Sequence, residues 1–273
     1  GPCVPVAIRG GDHINPPRRG LIDACSRRLY HGPMTKSDWF AIEEAAGAAI
    51  GWGFAGDTPV IEATGLSATE VATLLDAHDP LIVAEPAAAD QKSPARVLPD
   101  RLPMAGIAQG NPPDRLPPVA RLRIAGFLAA HPQWDGVICL SLNDATHWVQ
   151  ISADELVSLQ STLTPRLAAA LGAGPQADTD AVEQAISRPE KLASLLHRAA
   201  LTSSPDMALG ALIGAELAAT RPYWLGQQIG LIADAPLAHA YAAALALQFA
   251  PLVKMTPHQA AQNGLIALHR AMA

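Results

Sequence analysis

Residues 134–159 read WDGVICLSLNDATHWVQISADELVSL, and the way this stretch divides decides the fold. Val137-Ile138-Cys139-Leu140 is an apolar run of strand length, and Asn143-Asp144-Ala145-Thr146 is a polar turn. Trp148-Val149-Gln150-Ile151, the tight turn Ala153-Asp154 and Leu156-Val157-Ser158-Leu159 complete a three-stranded meander. The same order stands once more upstream. Trp39-Phe40-Ala41-Ile42 leads through small residues to Ile50-Gly51-Trp52-Gly53-Phe54, then the turn Ala55-Gly56-Asp57 and Pro59-Val60-Ile61-Glu62-Ala63. A unit that occurs twice predicts a duplicated α/β fold whose first hairpins face each other across a cleft, each hairpin loop holding any ligand phosphates.

Working outward, Ser67 followed by Glu70 gives an N-cap pattern, with Val71, Leu74 and Leu75 at helical spacing until Asp79-Pro80. Leu81-Ile82-Val83-Ala84 is a buried-type strand, and residues 85–118, rich in Pro, Ala and Asp without periodicity, are expected to be a long loop. A helix over Arg121 to Ala130 precedes the second meander. Helices near 166–171, 179–185, 189–200 and 205–219 follow it, then strand 229–232, helix 236–248, strand 252–255 and helix 257–272. That closing β-α-β-α order predicts a parallel sheet covered by helices. The expected division is 34–133 and 134–273. A single doubly wound domain with an irregular insertion near 85–118 is the competing arrangement.

Residues 1–33 stand apart, with Arg9, Arg18, Arg19, Arg27 and Arg28 against Asp12 and Asp23 and a weak hydrophobic pattern. They read as a leader or extension, with Met34 as a natural start; a functional basic arm is the alternative. The 273 residues are 49% hydrophobic but only 4% aromatic, so the cores are built from Ala, Leu, Ile and Val. A net charge of −6 supplies no basic field for a phosphate backbone, which argues against nucleic acid. Cys3, Cys25 and Cys139 form no C-x-x-C pair, and no apolar run reaches membrane-spanning length, so a cytoplasmic protein with no membrane partner is expected. Gly210 and Gly214, four apart in an expected helix, permit close packing. No G-x-x-x-x-G-K-[ST], G-x-G-x-x-G, G-x-S-x-G or H-E-x-x-H pattern occurs.

Several segments resemble the 2-dehydro-3-deoxygalactonokinase family of sugar-acid kinases. The best are Ile124-Ala125-Gly126-Phe127-Leu128-Ala129-Ala130 with Trp134-Asp135-Gly136-Val137-Ile138-Cys139-Leu140, Leu212-Ile213-Gly214-Ala215-Glu216-Leu217, and Tyr223-Trp224-Leu225-Gly226. Weaker matches stand at residues 37–42 and 232–237. The resemblance implies two ribonuclease H-like lobes of the actin-like ATPase type with a cleft between them, and ATP with Mg2+ as cofactors. It also implies a nucleotide and a 2-keto-3-deoxy sugar acid as small-molecule partners, and leaves a homo-oligomer open.

Against the family pattern the functional loops depart. Where the family carries D-x-G-T-T after the first strand, this chain has Glu43-Glu44-Ala45-Ala46-Gly47. The resemblance places Glu43 near magnesium and Gly47 at phosphate; a solvated or capping pair of glutamates is the plain alternative. In the second loop, P-G-T-H-T-K-W aligns on Trp148, so the resemblance places Asn143, Thr146 and His147 as nucleotide contacts. Asp144 becomes the candidate base or metal contact, or simply a turn residue. The lysine is gone, and His147 replaces its fixed charge poorly. The family's R-G-E-E-T-Q is matched by Pro118-Val119-Ala120-Arg121-Leu122-Arg123, and its T-G-E by Thr164-Pro165-Arg166. Ala233-Asp234-Ala235 stands where the nucleotide-side loop offers glycine, leaving Ala233 and Asp234 as its contacts. Two functions follow as expectations: an ATP-dependent kinase of a 2-keto-3-deoxy sugar acid, or a pseudokinase keeping the fold as a sugar-acid-binding or regulatory module.

Overall fold

The alternation read in the two meanders becomes two sheets in a computed structural model that describes residues 26–29, 36–85, 89–142 and 144–273. Most of the expected leader, and Asn143, lie outside the described residues. The first sheet has the order β1-β4-β3-β2-β5, from β1 (Ser26–Leu29), β2 (Trp39–Ala45), β3 (Ala48–Ala55), β4 (Thr58–Gly65) and β5 (Leu81–Ala84). Strands β2, β3 and β4 form the antiparallel meander, and β5 returns parallel to β2. Between β4 and β5 runs α1 (Ala68–Leu75), where Ser67 Oγ accepts the Glu70 N–H at 3.3 Å. Asp76 closes α1 in the left-handed conformation at φ 54°, ending it earlier than Asp79-Pro80.

Residues 85–118, expected as loop, carry short strands instead. Strands β6 (Gln91–Lys92), β8 (Ile107–Gly110) and β9 (Pro113–Leu116) form a three-stranded sheet, while β7 (Ala95–Arg96) joins the edge of the second sheet. Runs this short show no period, and their order comes from an anchor elsewhere. Arg121, fully buried in α2 (Pro118–Ala130), donates from Nε to the Val97 carbonyl at 2.7 Å and from Nη1 to that of Ala105 at 2.8 Å. Its Nη2 reaches the Arg96 carbonyl at 2.7 Å and Gln91 Oε1 at 2.8 Å. Burial lowers the Arg121 pKa to about 10, which leaves it a cation at neutral pH, solvated by carbonyls in place of water.

The second sheet, in the order β14-β13-β10-β11-β12-β7, repeats the plan of the first. Strands β10 (Gly136–Ser141), β11 (Thr146–Ser152) and β12 (Glu155–Thr162) form the antiparallel meander. Then β13 (Ile229–Ala233) lies parallel to β10 and β14 (Leu252–Met255) parallel to β13. Between β12 and β13 come α3 (Thr164–Ala170), α4 (Thr179–Ser187), a 3-10 turn over Pro189–Lys191, α5 (Leu192–Leu201), α6 (Pro205–Ala219) and α7 (Arg221–Trp224). The last crossovers are α8 (Leu237–Ala246) and α9 (Pro257–Met272). Every β10 residue is buried, as a central strand of a covered sheet requires.

Strand alternation assigns the faces. Val137, Cys139 and Trp148 pack under Leu209, Leu212 and Ile213 of α6 and Tyr241 of α8. Ile138, Leu140 and Val149 point the other way, onto Ile124 and Phe127 of α2 and Ala260 of α9. Val119 and Leu122 of α2 and Ala261 and Leu265 of α9 join the first sheet's core beside Ala41, Trp52 and Phe54. The α2–α9 pair is therefore shared by the cores of both sheets. Their backbones approach so closely that a Cβ on Gly126 would overlap the Ala260 carbonyl, and one on Gly264 that of Leu122. Gly210 and Gly214 do the same for α6 against α4, at the Asp178 and Val182 carbonyls. None of the described helices is long and apolar enough to cross a membrane.

Candidate functional site

In sheets of this kind ligands lie outside the carboxyl ends of the parallel strands. Here those ends are Ala45 of β2, Ala84 of β5, Ser141 of β10, Ala233 of β13 and Met255 of β14. The two first hairpins of the meanders start from two of them. In the first hairpin Ala45 pairs with Ala48, and the two-residue turn between them has φ 52° at Ala46 and 76° at Gly47. Two successive positive φ values mark a type I′ turn, which a glycine at the second position suits. Gly47 thus serves hairpin geometry, with no atom within 4 Å of where its Cβ would stand.

Glu43 and Glu44 leave β2 on opposite sides. Glu43, 7% exposed, accepts from Arg123 Nη2 at 2.5 Å, and Arg123 Nη1 also donates to the Val119 carbonyl at 2.9 Å. Glu43 Oε2 and Arg123 Nε are both buried without a partner, so the pair is a side-on arrangement with one of its two hydrogen bonds made. Glu44 Oε2 accepts the Ala68 N–H at 3.2 Å, at the first turn of α1. Among the described residues no group of three His, Cys, Asp or Glu side chains gathers to hold a metal ion. A lone carboxylate already neutralised by a guanidinium does not fit magnesium at Glu43.

The second hairpin closes with Leu142 N–H on the Ala145 carbonyl at 3.0 Å, around Asn143, which is not among the described residues, and Asp144. Asp144 is exposed, and Arg166 Nη2 of α3 lies 3.6 Å from its Oδ1 with both side chains open to solvent. Thr146 and His147, adjacent in β11, point to opposite faces of the sheet, so one phosphate group cannot be held by both side chains. Thr146 is fully buried, with Ser141 Oγ at 3.0 Å and Tyr241 OH at 2.8 Å from its hydroxyl. His147 lies on the other face, 6% exposed, its Nδ1 2.7 Å from Ser161 Oγ. Burial pushes its pKa down to about 4, against a smaller upward pull from Asp114, so it is uncharged at neutral pH. Asp114 itself accepts the Ser161 N–H at 2.6 Å. In the third loop Ala233 is buried and Asp234 exposed, with the Asp234 carbonyl accepting the Ala238 N–H at the start of α8.

Three residues outside the expected set hold this region together. Arg123 closes Glu43, and Arg121 anchors the small sheet. Glu216, inside α6, gathers Trp148 Nε1 at 2.7 Å, Thr162 Oγ1 at 2.7 Å and Tyr241 OH at 2.9 Å. Each had a signal in the sequence: a charged residue within an otherwise apolar helix. A separate surface hollow of about 680 Å3 lies between α4 and α5, lined by Arg188, Lys191 and Arg198 and by no hairpin residue.

A family model described as 2-keto-3-deoxy-galactonokinase matches residues 120–268, more than half of the chain. The match runs from α2 through the second sheet into α9 and includes the second hairpin but not the first. Among solved structures, a candidate 2-dehydro-3-deoxygalactonokinase from Sinorhizobium meliloti shares the fold with a TM-score of 0.74 at 19% identity. That comparison covers 86% of this chain and 99% of the other. The activator of the 2-hydroxyisocaproyl-CoA dehydratase from Clostridium difficile, with bound ADPNP, follows at TM-score 0.46 and 10% identity, over 86% of this chain and 95% of that one. Component A of the (R)-2-hydroxyglutaryl-CoA dehydratase from Acidaminococcus fermentans stands at 0.46 and 8%, covering 86% and 99%. No curated protein matches the chain in sequence.

Proposed function

Since the chain belongs to the 2-keto-3-deoxy-galactonokinase family, we propose that it binds a 2-keto-3-deoxy sugar acid in a cleft between two ribonuclease H-like lobes without efficient phosphoryl transfer. The observation that carries this is the Glu43–Arg123 pair. Phosphoryl transfer is positioning plus neutralisation of charge on the transferred group. On the first hairpin the carboxylate expected to organise magnesium is held by a cation of the protein itself. On the second, the position of the family's lysine is held by an uncharged, buried imidazole. The hairpins would offer a magnesium–nucleotide complex few oxygens of the protein, leaving water and phosphate to hold the ion, and ATP would meet Ala46, Gly47 and Ala233 where hydroxyls or cations are needed.

A second reading, an active kinase, is favoured by Asp144. Its carboxylate stands free at the tip of the hairpin apart from one exposed 3.6 Å ion pair, so it is able to accept a proton from a substrate hydroxyl. Calorimetry with 2-dehydro-3-deoxygalactonate and with magnesium-ATP, alongside a coupled ADP-release assay, separates the two. Sugar-acid binding with ADP release at background supports the binding module. Turnover that disappears in Asp144→Asn overturns it in favour of the kinase.

A further inference from the structure

The hollow between α4 and α5 is made by two helix faces. Glu183, Gln184, Ser187 and the C-cap Arg188 stand at turn spacing along α4, and Lys191, Ser194, Leu195 and Arg198 along α5. Its floor is fixed. Leu195 is buried with Ala185 of α4 and Ala211 of α6, and α6 in turn is brought against the α4 backbone at Gly210 and Gly214. The polar lining residues stand exposed around that floor, and the volume of about 680 Å3 is that of a small-molecule site.

Its charge runs against the rest of the molecule. The chain carries a net charge of −6, yet the hollow sets Arg188, Lys191 and Arg198 against Glu183 alone, a surplus of two positive charges. Elsewhere Arg96, Arg115, Arg123, Arg166 and Arg270 each meet a carboxylate. Among the described residues none of the three cations of the hollow does; Arg198 Nη2 donates to the neutral Gln184 Oε1 at 2.9 Å instead. The helix ends sharpen the contrast. Helix α4 begins with Asp178 as cap and Asp180 in its first turn, whereas α5 begins on Lys191 with no capping side chain and no acid in its first turn. Glu190, beside Lys191, is exposed and does not line the hollow. Positive charge gathered this way costs the free protein repulsion that a bound anion relieves.

We propose that the hollow between α4 and α5 binds a small phosphorylated ligand, at a site separate from the hairpins. Its surplus of two charges matches the dianion of a phosphate monoester. The guanidinium forks of Arg188 and Arg198 suit paired phosphate oxygens, and Lys191 adds a point charge between them in sequence. Ser194 spends its proton on the Lys191 carbonyl at 2.8 Å, so its oxygen is an acceptor for a ligand hydroxyl.

Calorimetry on the full chain with glycerol 3-phosphate, and with glycerate at matched ionic strength, tests this. The phosphate ester is expected to bind saturably and glycerate about tenfold more weakly, since a carboxylate carries one charge in place of two. Arg188→Gln, Lys191→Gln and Arg198→Gln are each expected to weaken the ester about fivefold, the size of one exposed ion pair, and the triple variant to abolish binding. Arg101→Gln removes the same charge from an exposed position outside the hollow and is expected to leave affinity unchanged. Hydrogen exchange with bound ester is expected to slow over residues 187–195 and to stay unchanged at both hairpins. If the triple variant does not fold, the single variants carry the test. No saturable binding at millimolar ester, equal affinity for glycerate, binding that survives the substitutions, or slowing confined to the hairpins overturns the proposal.

Discussion

His147 makes the uncharged state of the second hairpin measurable. Its pKa falls from the ordinary 6.5 to about 4 because burial disfavours the imidazolium. Between those two values the unfolded chain binds a proton that the folded chain does not, so stability rises with pH across the window and is lost as pH falls through it. A full shift of this size corresponds to roughly 3 kcal/mol, and moving from pH 7 to pH 5 removes about 2 kcal/mol of it. Urea unfolding at the two pH values reads this directly, with His147→Gln as reference. The expected result is an acid-side loss about 2 kcal/mol smaller in the variant than in wild type. Equal losses in both proteins refute the argument, since His147 would then titrate as an exposed imidazole and could carry charge to a phosphate.

The Glu43–Arg123 pair predicts strong non-additivity. Arg123→Met strands a buried carboxylate and is expected to cost roughly 3–5 kcal/mol, whereas Glu43→Leu with Arg123→Met is expected to recover most of that, read by chemical unfolding of both single variants and the double. Arg121→Lys keeps the charge but cannot reach four acceptors from one planar group. Hydrogen exchange over residues 91–110 should accelerate while β10–β12 stay protected, and unchanged protection there would count against the anchor role. Gly126→Ala puts a methyl onto the Ala260 carbonyl and is expected to destabilise by about 1–3 kcal/mol, seen as a lower thermal midpoint; a neutral effect would mean that α2 and α9 separate without cost.

Both meanders were legible because strand-length apolar runs bounded by turn residues leave a mark in sequence; in the second, Val137, Cys139 and Trp148 go to one face and Ile138, Leu140 and Val149 to the other, both faces being covered. The closing β-α-β-α order was legible for the same reason, with helices long enough to show their own period. Strands β6 to β9 were not, since two to four residues carry no period and their placement depends on Arg121, far along the chain. The positions of the two hairpins could be read, but the state of their side chains could not. Nothing local in Glu43-Glu44 says that one glutamate meets Arg123, 80 residues away, and the other the N-terminus of α1. The opposite facing of Thr146 and His147 follows from strand alternation only once β11 begins at Thr146, two residues before the strand expected from Trp148.

The two hairpins share one electrostatic plan, and it bears on which of them meets an anion. Each sets an acid against an arginine from a neighbouring helix: Glu43 against Arg123 of α2, Asp144 against Arg166 of α3. On the function proposed above, a sugar-acid carboxylate would have to displace one acid to use its arginine. At Arg123 that would strand Glu43 in the protein interior, where its side chain is 9% exposed, at a cost of several kcal/mol. At Arg166 the displaced Asp144, 68% exposed, turns into water, and the exposed pair forgone is worth about 0–1 kcal/mol. The second hairpin is therefore the one able to exchange an internal partner for a ligand. It also lies inside the stretch that the family model matches, whereas the first hairpin, with its internally sealed carboxylate, lies outside it.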